Sequence, residues 1–134
     1  MKAMIVDGKV AKDYWVDFDG VSWSTKSGVF KKLSFSVTEK DVYPKTVIRI
    51  DNKNKGIYAH RVVCETLHPF PIPEGIPLKD WKRTPVIVRD LLKRQFQVNH
   101  IDHDHKNYHP SNLEWVSTKA NSSKYQNHRK NNGK

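Results

Sequence analysis

Three things are scarce in this chain, and each shortage removes a class of explanation. There is one cysteine in 134 residues, Cys64. An internal disulfide and a multi-cysteine zinc cage are therefore excluded, and the run Val62-Val63-Cys64 is the setting of a buried, inert thiol. Carboxylates are few: 14 Asp and Glu stand against 24 Lys and Arg, a formal net charge of +10. So large a surplus on so short a chain favours a polyanionic partner such as nucleic acid. Long apolar runs are missing. Nothing approaches the roughly 20 residues that cross a bilayer, and the opening residues lack the apolar core of a signal peptide. The expectation is a protein of the cytoplasm with no membrane partner.

What is present suffices for one compact domain, or a small domain with an extended arm. Residues 1–58 read as β. Ala3-Met4-Ile5-Val6 closes at Asp7-Gly8, Tyr14 to Phe18 ends at Asp19-Gly20, Val29 to Val37 alternates in part, and Thr46 to Ile50 ends at Asp51-Asn52. Aromatic and β-branched runs punctuated by Asp, Asn and Gly predict a twisted antiparallel sheet. The texture changes at Ala59. His60 to Leu67 fits a short helix stopped by Pro69, and Pro69, Pro71, Pro73 and Pro77 form a stiff connector. A second helix is expected over about 85–95, with Val86, Ile87, Leu91, Leu92 and Phe96 as its apolar stripe. Val98 to Ile101 and Leu113 to Val116 are strand candidates, and 118–129 a closing helix. The fold class is α+β.

The chemistry is concentrated between Asn99 and Asn121. Four of the seven histidines fall at positions 100, 103, 105 and 109. Alternate side chains of a strand share a face, so His100 and Asp102 would point one way and Asn99 and Ile101 the other. Ser117 and Thr118 are good N-caps for the closing helix. Asn121 would then lie in its first turn, projecting back toward the strands. Such a strand, loop, strand and helix brings an imidazole and an oxygen donor together, a layout suited to a hard divalent cation with a base beside it.

At this point the chain resembles a known family. The blocks His60-Arg61-Val62-Val63-Cys64, Val98-Asn99-His100-Ile101-Asp102, Asn112-Leu113-Glu114-Trp115-Val116 and Asn121 occur in order, with gaps of 12 from His100 to Asn112 and 21 from His100 to Asn121. They resemble the HNH endonucleases, in particular the phage and intron-encoded homing branch with the ββα-metal fold. The resemblance covers about 57–125, with an insertion near 78–96. It implies an N-terminal β-rich region over 1–58, able to touch DNA as a sheet, and a nuclease module over 59–134.

The resemblance also implies roles. His100 is the general base, a task suited to an imidazole titrating near pH 6.5. Asn112 is the middle Asn, whose amide bridges the loop. Asn99 and Asn121 are the metal ligands, for one Mg²⁺ or Mn²⁺ per site. Many relatives carry Asp where this chain has Asn99, and two neutral amides make a weak site for a hard cation until a DNA phosphate joins them. The reaction implied is hydrolysis of a phosphodiester in double-stranded DNA, by a monomer that nicks or a homodimer that cuts both strands. If the protein is phage-encoded, its setting is the bacterial cytoplasm.

Other residues have plainer readings. His103, His105 and His109 are loop residues or phosphate contacts; Asp102 and Asp104 turn the loop, with Asp102 a reserve ligand; Trp115 packs behind the site. Phosphate contacts are expected from Arg61, Lys106, Lys119, Lys124 and Arg129, since the stretch from Lys119 onward carries five Lys or Arg and no carboxylate. Lys26, Lys31 and Lys32, beside Trp23 and Phe30, mark a possible DNA-facing ribbon in the sheet. Two alternatives stand beside the nuclease: an HNH-fold DNA-binding protein weakened in catalysis through Asn99, and a structural zinc site on His100, His103 and His105. The zinc reading accounts for neither the Asn-Leu-Glu-Trp block nor the spacing to Asn121.

Overall fold

The computed structural model describes residues 1–68, 70–72 and 76–117. These residues pack as two units, one of 1–68 with 100–114 and the other of the described residues of 70–99 with 115–117.

The first unit opens with strands β1 (Lys2–Val6) and β2 (Lys9–Val16). The turn between them puts Asp7 and Gly8 at φ of 50° and 81°. Two successive left-handed residues give the primed turn whose twist matches the hairpin. A register shift opposite Ala3 and Ile5 bulges β2, which spends five steps from Val10 to Trp15 against two on β1, around Asp13 at φ 69°. Strands β3 (Ser22–Ser24) and β4 (Lys31–Lys32) extend the sheet antiparallel in the order β1-β2-β3-β4. The strand expected over 29–37 is thus reduced to two paired residues and one isolated bridge from Ser36 to Lys45. Its apolar members Val29, Phe30 and Val37 lie exposed, so the alternation faces no second layer that would hold it as a strand.

A separate hairpin follows, β5 (Lys45–Ile50) and β6 (Lys53–Tyr58), turned at Asp51 and Asn52 with φ of 51° and 62°. Helix α1 (Ala59–Leu67) leaves β6 with no intervening loop. It buries Ala59, Val62, Val63, Cys64 and Thr66, turns Arg61 to solvent, and packs on β1 and β2. Met4, Val16, Val63 and Cys64 are fully enclosed in this core, and Ile5 N donates to Thr66 Oγ1 at 3.0 Å. Burial pushes the Cys64 thiol up to about 12, so it stays protonated and inert. Arg49 N donates to Tyr14 Oη at 3.0 Å, which ties the second hairpin to the first sheet.

The second unit holds two short helices, α2 (Leu78–Arg83) and α3 (Val86–Lys93). Trp81 is buried, and Arg89 lies over its ring at 5.6 Å while donating to the carbonyls of Thr84 and Lys82. The single helix expected over 85–95 is therefore preceded by a turn-and-a-half of helix around Trp81, and Pro85 caps α3 instead of opening it. Val86, Ile87 and Leu91 of the expected stripe are exposed among the described residues. Phe70 instead packs on Trp115 at 4.7 Å and Phe96 at 5.3 Å. Strands β7 (Phe96–His100) and β8 (Leu113–Ser117) form a two-stranded sheet. The expected closing helix lies outside the described residues.

Candidate active site

The loop between β7 and β8 is built almost wholly from short polar side chains bonding to nearby backbone. Asp104 N donates to Asp102 Oδ1 at 2.8 Å, Lys106 N to Asp104 Oδ1 at 3.0 Å, and His109 N to Asn107 Oδ1 at 3.3 Å. Three such two-residue closures in a row wind the segment tightly, as Asp and Asn do when they replace a backbone turn. His103, at φ 63°, absorbs a left-handed residue within it.

Asn112 fastens this loop. It is buried at the end of a 3₁₀ turn, Pro110–Asn112, capped by the His109 side chain. Its Nδ2 donates to Asp102 Oδ1 and to the Asn107 carbonyl, both at 2.9 Å, and its Oδ1 accepts from Asp102 N at 3.0 Å. Its carbonyl accepts from Ile101 N at 2.8 Å. An amide that gives and takes in this way can be replaced by neither Asp nor Leu without stranding a partner. Both Asp102 oxygens accept N–H groups from the loop, which holds its carboxyl below the usual range, the Asn107 amide being the largest cause.

His100, at the end of β7, is 5% exposed. Its ring lies 5.1 Å from that of His60, 5.7 Å from His105 and 5.8 Å from Tyr43. Tyr43 also meets His60 at 4.8 Å and His105 at 4.7 Å. The β5–β6 register explains the meeting of Tyr43 and His60. Lys45 stands opposite Tyr58, and the pairing runs one step further through Ala59 N to the Pro44 carbonyl at 3.0 Å. Tyr58 Oη donates to Asp41 Oδ2 at 2.7 Å, and Tyr43 N donates to Asp41 Oδ1, so one carboxylate steadies both tyrosines. At the far end of α1, His68 Nε2 donates to the Pro110 carbonyl at 2.6 Å, so the helix carrying His60 also holds the turn carrying Asn112. Gly20 lets this turn sit close: a Cβ there would lie 2.8 Å from Pro110 Cδ, and its φ is 83°.

Both inner imidazoles are held neutral. Burial first, then the neighbouring His100, Arg61 and His105 charges, bring His60 down to about 4, with Asp41 opposing. Burial and then His105 lower His100 below its ordinary value, against Asp102 and Asp104. Nδ1 of His60 and Nε2 of His100 are buried without a hydrogen-bond partner among the described residues. A neutral imidazole can take a proton from water.

Of the residues expected from sequence, His100 and Asn112 come together in one small network with Asp102. Asn99 is half-buried beside His100 on β7. Arg61 is exposed and reaches Glu65 at 3.5 Å, and Lys106 is exposed on the loop. Asn121, Lys119, Lys124 and Arg129 lie outside the described residues. No three His, Cys, Asp or Glu side chains among the described residues group to hold a metal, and His103 points out with its loop, against the zinc arrangement on His100, His103 and His105. Sequence reasoning missed Tyr43, placed His60 in a helix without joining it to His100, and joined His105 to His100 only in the zinc reading. The only sequence sign of His60 is its place at the head of the His-Arg-Val-Val-Cys block.

No curated protein matches the chain. One solved structure does, entitled "DNA binding and cleavage by the HNH homing endonuclease I-HmuI", at 23% identity and a TM-score of 0.60 over 87% of this chain. The match covers 53% of that protein, so this chain spans about half its length, and the likeness is one of fold. The profile of the HNH endonuclease family matches residues 57–123, half of the chain, including α1, β7, the loop and β8. The chain belongs to the HNH endonuclease family.

Proposed function

We propose that this protein is a metal-dependent DNA endonuclease in which His100 is the general base. The observation that carries the reading is His100 itself: a buried, neutral imidazole at the end of β7, beside the Asn112-fastened loop. The +10 net charge supports a polyanionic substrate.

Asn99 and Asn121 are the residues that would hold a divalent cation. Their neutral amide oxygens suit a hard ion such as Mg²⁺ or Mn²⁺ but bind it weakly without a phosphate. When bound, such an ion supplies Lewis-acid stabilisation of the charge that builds on the phosphate and leaving oxygen. The chain's own part is to orient water, accept its proton at the His100 imidazole and keep that imidazole neutral. Asn112 contributes by fixing the loop that follows the base. Arg61 and Lys106, with Lys119, Lys124 and Arg129, are proposed phosphate contacts, and the exposed Lys31 and Lys32 of β4 a further one. Acting as a monomer, one site nicks one strand.

The test is incubation of the purified protein with supercoiled plasmid in EDTA, Mg²⁺, Mn²⁺ or Zn²⁺. Open-circular product with 5′ phosphate ends in Mg²⁺ or Mn²⁺, and none in EDTA, is expected. Tight DNA binding with no cutting in any metal would instead support a binding protein weakened through Asn99.

A further inference from the structure

Glycine inside a strand weakens it and marks a place where other atoms come close. Gly56 of β6 lies outside the left-handed region, so it answers to space and not to backbone conformation. The atoms that come close are those of Lys45. In the β5–β6 register Lys45 stands opposite Tyr58 and Val47 opposite Gly56, so the four share one face of the hairpin. A Cβ on Gly56 would lie 2.7 Å from Lys45 Cε and 3.3 Å from its Nζ. The lysine stem therefore crosses the neighbouring strand through a notch, and its ammonium stands 5.3 Å from the centre of the Tyr58 ring, within cation–π range. An exposed lysine left to itself spreads over many rotamers; this one is held.

Ion pairing does not account for the restraint. Among the described residues the ion pairs are Lys55 with Asp7 and Arg61 with Glu65. The nearby Asp41 carboxylate accepts from Tyr43 N and Tyr58 Oη, one at each oxygen. Lys45 instead lines a cleft of about 460 Å³ with Ser36, Thr38, Asp41, Thr46 and Val47. An ammonium and three hydroxyls are donors suited to phosphate oxygens. The base is close by: the Tyr58 ring lies 5.6 Å from that of His60, and His60 lies 5.1 Å from His100.

We infer that Lys45, seated in the Gly56 notch, binds a DNA backbone phosphate flanking the scissile bond, and that Gly56 is its positioning residue. The inference rests on the nuclease reading above. It concerns binding alone, since the ammonium neutralises a phosphate and takes no part in proton transfer.

Affinity of the full chain for a mixed-sequence DNA duplex is measured in EDTA over a range of salt, for wild type, Lys45→Gln, Gly56→Ala and Lys55→Gln. Thermal melting and plasmid nicking in Mn²⁺ are followed alongside. Lys55 stands opposite Ile48, on the other face of the hairpin, and controls for the loss of one positive charge. Lys45→Gln is expected to bind about 3- to 10-fold more weakly at low salt, with the slope of log K against log salt smaller by about 1. Nicking at subsaturating protein falls by the same factor. Lys55→Gln keeps the wild-type slope. In Gly56→Ala the new methyl displaces only the end of a flexible side chain, so melting holds while affinity falls as in Lys45→Gln, although the net charge is intact. A Lys45 that merely packs on Tyr58 would move melting and leave the slope alone.

A wild-type slope in Lys45→Gln overturns the inference, as does an equal loss of slope in Lys55→Gln. So does wild-type affinity in Gly56→Ala, or weakened binding matched by loss of folding. If wild type nicks plasmid while Lys45→Gln keeps its slope, the inference falls and the nuclease reading stands. If wild type cuts in no metal while the Lys45→Gln slope falls as expected, the phosphate contact stands and the nuclease reading fails.

Discussion

His100 and His60 differ from surface histidines because water has been taken from them while their neighbours include further potential cations. For His100 this keeps the basic form present in mildly acidic solution. The acid limb of kcat/KM, which reports the free enzyme, is expected with its midpoint below 6.5; a midpoint above that would contradict the burial of His100. For His60 the consequence is one of stability. The folded imidazole protonates near about 4 and the unfolded one near 6.5, so between these values the unfolded chain binds the extra proton. Stability is complete above pH 6.5 and is lost as pH falls toward 4, by at most about 3 kcal/mol from this residue. Urea melts from pH 7.5 to 4 should show the fall, and His60→Phe should flatten it. The convergence of these two rings with Tyr43 and His105 is not legible in the sequence, because it joins positions 43, 60, 100 and 105 through a hairpin register. Histidine enrichment over 100–109 marks the right loop, in which His103 supplies a left-handed turn residue and His109 the cap of the 3₁₀ turn.

The elements that were legible are those whose signals are local. Asp7-Gly8 and Asp51-Asn52 mark left-handed turns directly, and α1 is bounded by its apolar spacing and Pro69. Strand β6 was not, since Lys53 to Gly56 are exposed and its only deeply buried member is Ile57. Neither was α2, whose six residues bury a single Trp81. The loop and turn that carry Asn112 make a sharp prediction. Asn112→Ala strands Asp102 N and the Asn107 carbonyl and leaves Asp102 Oδ1 with Asp104 N alone, and should cost about 2–4 kcal/mol in chemical denaturation while lowering activity. Gly20→Ala meets both an unfavourable φ and Pro110, and should cost at least about 1 kcal/mol. In the core, Met4→Ala leaves a cavity under α1 and should cost about 2–5 kcal/mol, with no effect on the metal dependence of cutting.

Taken whole, the molecule joins a small hydrophobic unit, whose fold is set by two hairpins and α1, to a charge surplus that the core does not need. No helix among the described residues is long and apolar enough to cross a membrane. The surplus makes DNA affinity steeply salt-dependent: each phosphate neutralised contributes about 0.9 to the slope of log K against log salt. Arg61→Ala and Lys106→Ala, tested singly, should each lower that slope by about 1 if the side chain meets phosphate, and leave it unchanged if it is only solvated. The family blocks made the module over 57–123 readable from residue identity and spacing, whereas the partition of the chain into packed units depends on contacts no local pattern records. The most direct test of the account is the single-turnover rate of plasmid nicking by wild type and His100→Ala at saturating Mn²⁺, with DNA affinity measured alongside. A rate lower by about 10²- to 10⁴-fold at unchanged affinity is predicted. A His100→Ala protein that nicks at the wild-type rate would contradict it.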